Sequence, residues 1–246
     1  MQRRFECVFI LCLLAAIRPV AAQEAGSRTS GLHVSLGDLY LGIGAGGFLP
    51  SSPSFSGSGP LGGLPVAASG TLKLKPGPAV TLFSSYEFVH HLSVEMQLGY
   101  SSTAIDRFSG TFSLPGAPPL QGGFPIRGNI ESVAGFTNLV FNPTSDRDRI
   151  FPFIGAGIGF ASSRASIGAV DVFGTSLPVS AKSFATSFAW DALVGADYRI
   201  TEHGNLGLVY QFSRTNQSDL GSTSGFKATT GALNASIIAV LFEYRF

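Results

Sequence analysis

Histidine is the residue type in this chain best suited to acid–base or metal chemistry. The chain contains four histidines: His33, His90, His91 and His203. His90 and His91 are adjacent, but two ligands do not make a metal site. Both cysteines, Cys7 and Cys12, lie at the extreme N-terminus, so the rest of the chain has no thiolate ligand or disulfide. We expect no catalytic, metal or cofactor site.

A second set of candidates consists of ionisable residues that alternate with apolar ones. They are Glu87, Glu95, Asp191, Asp197, Arg199, Glu243 and Arg245. Because alternate side chains of a strand point to opposite faces, each would lie on a polar face. Inside a small barrel, such charges must pair with one another or with water. Two interpretations stay open: a polar network that rigidifies a closed barrel, and a narrow acid-lined path for small cations.

The segments that would position these residues alternate apolar and polar positions with a period of two. The predicted strands cover about residues 38–48, 80–88, 92–100, 130–141, 150–161, 184–200, 205–212 and 228–246. The facing of the fourth is ambiguous, because Val133 and Leu139 lie on one side and Phe136 and Val140 on the other. Eight strands is an even number, as bacterial barrels require when the first strand closes on the last.

The connections between these strands alternate in length. Short turns are predicted around His90-His91 and over residues 143–149 and 201–204, and long connections over 49–77, 102–129, 162–183 and 214–227. Because the long connections are rich in Gly, Ser and Pro, they are predicted to be surface loops. This alternation places both termini on the periplasmic side. Ten strands stay open if residues 71–75 belong to a further hairpin.

The N-terminus resembles a secretory signal in its physical pattern. Arg3 and Arg4 precede an apolar run over residues 7–17, and Val20 and Ala22 fit the positions before a cleavage site. The alternative, a membrane anchor, is disfavoured because the run is shorter than the ~20 residues of a spanning helix. We expect a signal peptide over residues 1–22 cleaved before Gln23, a short periplasmic segment over 23–36, and a barrel domain over 37–246.

Composition separates a membrane barrel from a soluble one. Charged residues make up 13% of the chain, against about 25% in a typical soluble domain, and the mean hydropathy is positive. There is no basic stripe, so nucleic acid is not an expected partner. A soluble β-sandwich or lipocalin-like barrel is disfavoured, since its core would consist of rows dominated by Gly, Ser and acids. The predicted fold is all-β, an eight-stranded antiparallel transmembrane up-and-down β-barrel.

Several stretches resemble the opacity-type, OmpA-like outer-membrane barrels of Gram-negative bacteria. Residues 152–160, Pro-Phe-Ile-Gly-Ala-Gly-Ile-Gly-Phe, resemble the fifth strand of that family, and 190–200 with 204–206 resemble its sixth strand, turn and seventh strand. The final aromatics Phe242, Tyr244 and Phe246 resemble the signal by which such barrels are recognised for assembly. The resemblance implies a bacterial outer-membrane location and a monomer. The implied partners are the lipid bilayer, lipopolysaccharide and the assembly machinery. The peptidoglycan-binding domain of larger OmpA-type members is not expected after the eighth strand.

Some eight-stranded outer-membrane barrels are lipid A deacylases, with a Ser/His/acid site near the end of the next-to-last strand. The matching stretch here, Phe212-Ser213-Arg214-Thr215-Asn216, lacks the histidine that would activate the serine. We therefore expect no enzyme, and a lipid A-modifying activity stays the lesser alternative.

The expected function is a structural or surface-interaction role. It would serve envelope integrity, adhesion or contact with a host or environment, through long loops and an unknown extracellular ligand. The alternative is a minor channel for small cations or small apolar solutes.

Overall fold

Antiparallel strands make up most of the computed structural model, which describes residues 39–61, 64–144, 149–172, 175–222 and 227–246. They are β1 (Leu39–Pro50), β2 (Ser54–Leu61), β3 (Leu64–Leu74), β4 (Gly77–Val89), β5 (Leu92–Ser113), β6 (Leu120–Phe141), β7 (Ile150–Val172), β8 (Thr175–Arg199), β9 (Gly204–Thr215), β10 (Ser218–Ser222), β11 (Lys227–Thr230) and β12 (Leu233–Arg245). In this part of the chain no helix is long and apolar enough to cross a bilayer. The predicted signal peptide, its cleavage site and the segment 23–36 lie outside the described residues.

Eight of these strands close into a ring, which we call the membrane ring. Around the ring they follow the order β1, β4, β5, β6, β7, β8, β9 and β12. The first strand pairs with the last along its length, from Tyr40 opposite Arg245 to Pro50 opposite Ala235. The eight-stranded antiparallel barrel is therefore confirmed, and closure leaves no edge strand within it.

The membrane ring carries its apolar side chains on the outside. On β5, Val94, Met96 and Leu98 are exposed, whereas Glu95 and Gln97 between them are half-buried and face the interior. The ambiguous strand β6 follows the same rule, because Leu139 is exposed and Val140 is buried. Such a surface would be unstable in water over so many strands, and lipid is the solvent that suits it.

Within the described residues, the four long connections are mostly strand and not loop, which corrects the sequence prediction. Strands β5 to β8 contain 22, 22, 23 and 25 residues, at least twice the ~9–11 that a bilayer crossing needs. Their far halves continue past the membrane ring. The hairpin β2–β3 continues the barrel beyond β1 and β4, and β10–β11 does so beyond β9 and β12. Residues Thr71–Leu74 do belong to a hairpin, as the end of its second strand β3, but the β2–β3 hairpin turns between Leu61 and Leu64 and does not enter the membrane ring.

These segments form a second closed barrel, the distal ring, stacked end to end on the membrane ring. Its order is β2, β3, β5, β6, β7, β8, β10 and β11, and β11 closes on β2. Backbone hydrogen bonds join the two rings where the short strands begin and end. Ser51 N donates to Asn234 O at 2.7 Å, and Gly231 N donates to Ser54 O at 2.9 Å. The distal ring therefore continues the barrel without a flexible joint at these positions.

The interior of the distal ring is a packed apolar core. Its buried members are Ala68, Leu72, Ile105, Phe108, Phe124 and Ile126. Phe108 is only 1% exposed, and its ring lies 4.9 Å from that of Phe112 and 5.8 Å from that of Phe55. The same ring covers Gly70 and Gly110, where an added Cβ would collide with it. Aromatic cover of paired glycines is one way in which a glycine-rich sheet keeps its register.

Candidate functional site

The polar face predicted from sequence lies inside the membrane ring. All seven predicted residues point inward: Glu87, Glu95, Asp191, Asp197, Arg199, Glu243 and Arg245. Apart from Asp191, they line one cavity of about 130 Å³, the lower cavity, which extends from the short turns upward. Glu95, Asp197 and Glu243 lie within it, on three different strands. Glu87, Arg199 and Arg245 lie at its mouth, beside the short turns.

Most of these carboxyl groups accept hydrogen bonds from neutral side-chain amides. Asn138 Nδ2 donates to Glu95 Oε1 at 3.2 Å, and Asn205 Nδ2 donates to Glu243 Oε2 at 3.4 Å. Asn138 was missed in the sequence because its strand had no clear facing. Its buried position next to Glu95 shows that β6 supplies an amide donor for the carboxyl group on β5.

A pair of glutamines crosses the lumen above the lower cavity. Gln97 Nε2 donates to Gln211 Oε1 at 3.2 Å, and Gln211 Nε2 donates to Gln97 Oε1 at 2.8 Å. Their strands, β5 and β9, stand on opposite sides of the membrane ring. Gln211 also donates to Asp191 Oδ2, which anchors the pair to the wall. Both glutamines occupy inward positions in the alternating pattern of their strands. The sequence did not single them out as candidate site residues because they carry no charge.

Above the glutamine pair lies a smaller cavity of about 70 Å³, the upper cavity. Its lining is mainly apolar and includes Phe48, Phe136 and Ile237, and it shares Gln97 and Gln211 with the lower cavity. The glutamines thus form the partition between a polar and an apolar compartment. Farther along the lumen the aromatic core of the distal ring begins.

The arginines at the mouth of the lower cavity lie against aromatic rings. The guanidinium of Arg199 lies 4.5 Å from the ring centre of Phe151, and that of Arg245 lies 5.5 Å from that of Tyr40. Contacts of this kind favour a cation over the face of an aromatic ring. Both arginines therefore have well-defined positions at the short-turn end.

The three described histidines, His90, His91 and His203, lie in turns at one end of the barrel, whereas Ser213 lies toward the other end of β9. His33 lies outside the described residues. His90 and His91 form the turn after β4, where His91 has a φ of 71°, and Glu87 Oε1 accepts a hydrogen bond from His91 N at 3.0 Å. His203 lies in the turn before β9, at the same end of the barrel. Ser213 lines the upper cavity near the other end of β9. Within the described residues, no group of three His, Cys, Asp or Glu side chains could hold a metal directly.

The aromatic row at the C-terminus faces outward as its alternation predicts. Phe242, Tyr244 and Phe246 are all exposed, and the rings of Tyr244 and Phe246 meet edge to face at 5.2 Å. His203 stacks on Tyr244 at 5.8 Å and its Nδ1 lies 3.1 Å from Arg245 O. These contacts fix the final strand at the rim but do not test its role in assembly.

Comparison with known proteins agrees with the barrel fold. The sequence matches the model of the family described as outer membrane protein beta-barrel domain over residues 9–246. No curated protein sequence matches the chain.

Among solved structures, the outer membrane protein OprG from Pseudomonas aeruginosa is similar at 16% identity and a TM-score of 0.50, over 85% of this chain and 96% of that one. Neisserial surface protein A is similar at 14% identity and a TM-score of 0.46, over 85% of this chain and 97% of that one. AlkL, solved in lipid bilayers, is similar at 14% identity and a TM-score of 0.49, over 92% of this chain and 96% of that one. At these identities the likeness concerns the fold alone.

Proposed function

Because the chain belongs to the outer membrane protein β-barrel family, we propose that it is a closed structural barrel that presents a rigid interaction surface outside the bacterial outer membrane. The observation that carries this proposal is the distal ring. It continues four membrane strands into a second closed barrel and fills it with a packed aromatic core. Short turns of such barrels face the periplasm, so the distal ring stands on the exterior.

A folded ring differs from flexible loops in the conformational entropy that binding costs. Ordering a loop on binding costs conformational entropy, whereas strands already held by hydrogen bonds pay that cost during folding. The exposed turn at residues 115–119 lies at the tip between β5 and β6 and is rich in proline. We infer that partners of the cell surface meet this preformed end of the barrel.

The lumen is obstructed at two levels, which disfavours ion conduction. The Gln97–Gln211 pair crosses it near the middle, and Phe108 with its aromatic neighbours occupies it in the distal ring. In planar lipid bilayers, we expect the refolded protein to give no steady conductance in 1 M KCl. A porin inserted in the same bilayer serves as a positive control. Reproducible channel steps from the purified protein would contradict the closed barrel and favour the alternative, a minor channel for small cations.

The upper cavity favours a second candidate function, the uptake of small apolar solutes. Its apolar lining suits such a solute, but it lies between the glutamine pair and the distal core. Uptake of a fluorescent apolar tracer into proteoliposomes, above the rate of protein-free liposomes, would favour this candidate. The closed-barrel proposal predicts equal rates.

We propose that the C-terminal aromatics are read by the outer-membrane assembly machinery. Deleting Phe246 is expected to lower the yield of folded protein in the outer membrane severalfold, since it removes the last aromatic of the exposed row. Of the contacts with β1 it removes the Phe246 N–Leu39 O hydrogen bond, while the pairing from Tyr40–Arg245 to Pro50–Ala235 stays in place. The folded fraction is measured by heat-modifiable mobility on gels of isolated outer membranes. Phe246→Tyr keeps an aromatic and is the matched control. A normal yield after the deletion would rule out this role.

A basic patch on the outer wall of the barrel supports lipopolysaccharide as a partner. It consists of Lys73, Lys75, Arg107 and Arg127, all exposed. Lys73 and Arg107 are direct cross-strand partners, an arrangement that destabilises a sheet unless an anion lies nearby. Asp106 accepts a hydrogen bond from Arg107 Nε at 2.9 Å, and this bond lowers the pKa of Asp106. One carboxylate cannot balance four cations, and lipopolysaccharide phosphates carry the missing charge.

Reversing two charges of the basic patch tests this partner. At ~1 kcal/mol per basic residue near an anionic surface, Lys73→Glu with Arg107→Glu is expected to weaken binding to purified lipopolysaccharide at least tenfold. Binding is measured by surface plasmon resonance at constant salt. Arg149→Glu, an exposed arginine at the short-turn end, is the control and should bind normally. Equal affinity of the double variant and the control would exclude the patch as the contact.

A further inference from the structure

Three arginines line an open pocket at the short-turn end of the membrane ring, which we call the rim pocket. They are Arg149, Arg199 and Arg245. Glu202 is the one acidic residue among the described residues that line it. The acids inside the lower cavity lie deeper in the lumen and do not line this pocket. Three guanidinium groups against one carboxylate make the rim pocket suited to an anion.

Strand pairing brings these arginines together and fixes their backbones. Arg149 precedes β7 and stands opposite the end of β8, where Arg199 N donates to Arg149 O at 2.9 Å. Arg245 N donates to His203 O at 2.8 Å, which joins the end of β12 to the turn that carries Glu202. Like charges that stand opposite each other on neighbouring strands destabilise a sheet, so Arg149 and Arg199 favour an anion between them.

Two of the three guanidinium groups have their positions set by aromatic rings. Arg199 lies over Phe151 and Arg245 lies over Tyr40. A guanidinium group is planar and can donate two parallel hydrogen bonds to a phosphate group. Because the rings hold the two groups in place, less side-chain entropy is lost when an anion binds. The rim pocket is therefore preorganised for the oxygens of a phosphate group.

The rim pocket also includes two side chains of the lipid-facing wall. Tyr198 on β8 and Ile200 just after it line the pocket and are 47% and 55% exposed. Aromatic residues at this level lie at the boundary between lipid and water. The pocket thus extends over the rim, from the mouth of the lumen to the outer wall. A ligand that fits both parts has an anionic head and an apolar body.

We propose that the rim pocket binds the headgroup of one anionic glycerophospholipid. Short turns of such barrels face the periplasm, so this lipid belongs to the inner leaflet of the outer membrane. Its phosphate group lies among the guanidinium groups of Arg149, Arg199 and Arg245, and its acyl chains run along the outer wall past Tyr198 and Ile200. Free phosphate shares the chemistry of the head but has no apolar body. The site is separate from the basic patch, which lies beyond the other end of the membrane ring.

Native mass spectrometry of the refolded barrel in a non-ionic detergent tests the site by counting bound lipids. Phosphatidylglycerol is titrated at constant ionic strength, and phosphatidylcholine with the same acyl chains and inorganic phosphate are titrated separately. The wild type is expected to bind one phosphatidylglycerol saturably, and more tightly than either of the other two ligands. Arg149→Glu with Arg245→Glu is expected to raise the Kd for phosphatidylglycerol at least ~10-fold, because each basic residue near an anionic surface contributes about fivefold in affinity.

Lys73→Glu with Arg107→Glu makes the same change in net charge within the basic patch and is the matched control. This variant should bind phosphatidylglycerol like the wild type. Folding is verified for each variant by heat-modifiable gel mobility, and Arg149→Glu alone, at an exposed position, is used if the double rim variant does not refold.

Three results would overturn the proposal. They are an unchanged Kd in the folded rim variant, an equal loss of affinity in the basic-patch variant, and equal affinity of the wild type for phosphatidylcholine. If inorganic phosphate binds as tightly as phosphatidylglycerol, the apolar part of the pocket contributes nothing and the assignment to a lipid is wrong.

Discussion

Replacing Leu98 by arginine is expected to destabilise the inserted barrel by ~2–4 kcal/mol, the cost of arginine on the lipid face near the bilayer midplane. Leu98 is exposed on the outer face of β5, between Met96 and the interfacial Tyr100. Val94→Arg tests the same face closer to the short turns and should also destabilise. The free energy of unfolding is measured by urea titration of the protein refolded in lipid vesicles.

The matched control places the same arginine farther along the same strand. Ser102 has the outward parity of Leu98 but lies beyond Tyr100. Ser102→Arg is expected to cost only ~0–1 kcal/mol, as arginine does near the interface. If Leu98→Arg also costs close to zero, the apolar face does not meet lipid and the assignment of the two faces is inverted.

Replacing Phe108 by alanine is expected to lower stability by ~3–5 kcal/mol, the usual cost of removing a buried aromatic ring. Phe108 lies at the centre of the distal core, against Phe55, Phe112 and Phe124. The loss should be concentrated in the distal ring, because the membrane ring keeps its own pairing. We therefore expect the distal ring of the variant to become sensitive to protease while the membrane-embedded fragment survives.

Phe184→Ala removes the same ring from an exposed position on β8 and is the control. Its side chain is exposed and is not part of the distal core. The free energy of unfolding and the protease resistance of this variant should therefore stay close to those of the wild type. Comparable protease sensitivity in the two variants, or resistance in both, would contradict a packed core around Phe108.

The membrane ring could be predicted from sequence because its signal is local and repeated. Residues such as Met96, Leu98 and Tyr100 alternate strictly with polar neighbours, and each strand carries the pattern independently. The facing of the lumenal acids followed from the same alternation. The short turns and the closure of β1 on β12 followed from the even strand number and the connection lengths.

The distal ring could not be predicted because the alternation is broken where it begins. On β5 the pairing with both neighbours shifts between Ile105 and Arg107. The buried position moves from the odd residue Ile105 to the even residue Phe108, and the even residue Phe112 is partly buried in the same core. Such a bulge inserts one residue and reverses the facing of all that follow. A single period of two therefore does not fit the whole segment, and its Gly, Ser and Pro content is typical of a loop.

The interior partition escaped prediction for a different reason. Gln97 and Gln211 stand 114 positions apart, and their pairing depends on the ring placing β5 opposite β9. No local pattern contains that information. Asn138 required the facing of β6, which sequence alone left ambiguous.

Amide hydrogen exchange distinguishes a folded distal ring from a set of loops. We expect the amides of residues 66–72 and 108–112, which pair across β2, β3 and β5, to exchange orders of magnitude more slowly than unstructured chain in the refolded barrel. The amide of Gly116, in the exposed turn between β5 and β6, should exchange fast. If residues 66–72 and 108–112 exchanged as fast as that turn, the distal ring would be a set of loops and the proposed rigid surface would be contradicted.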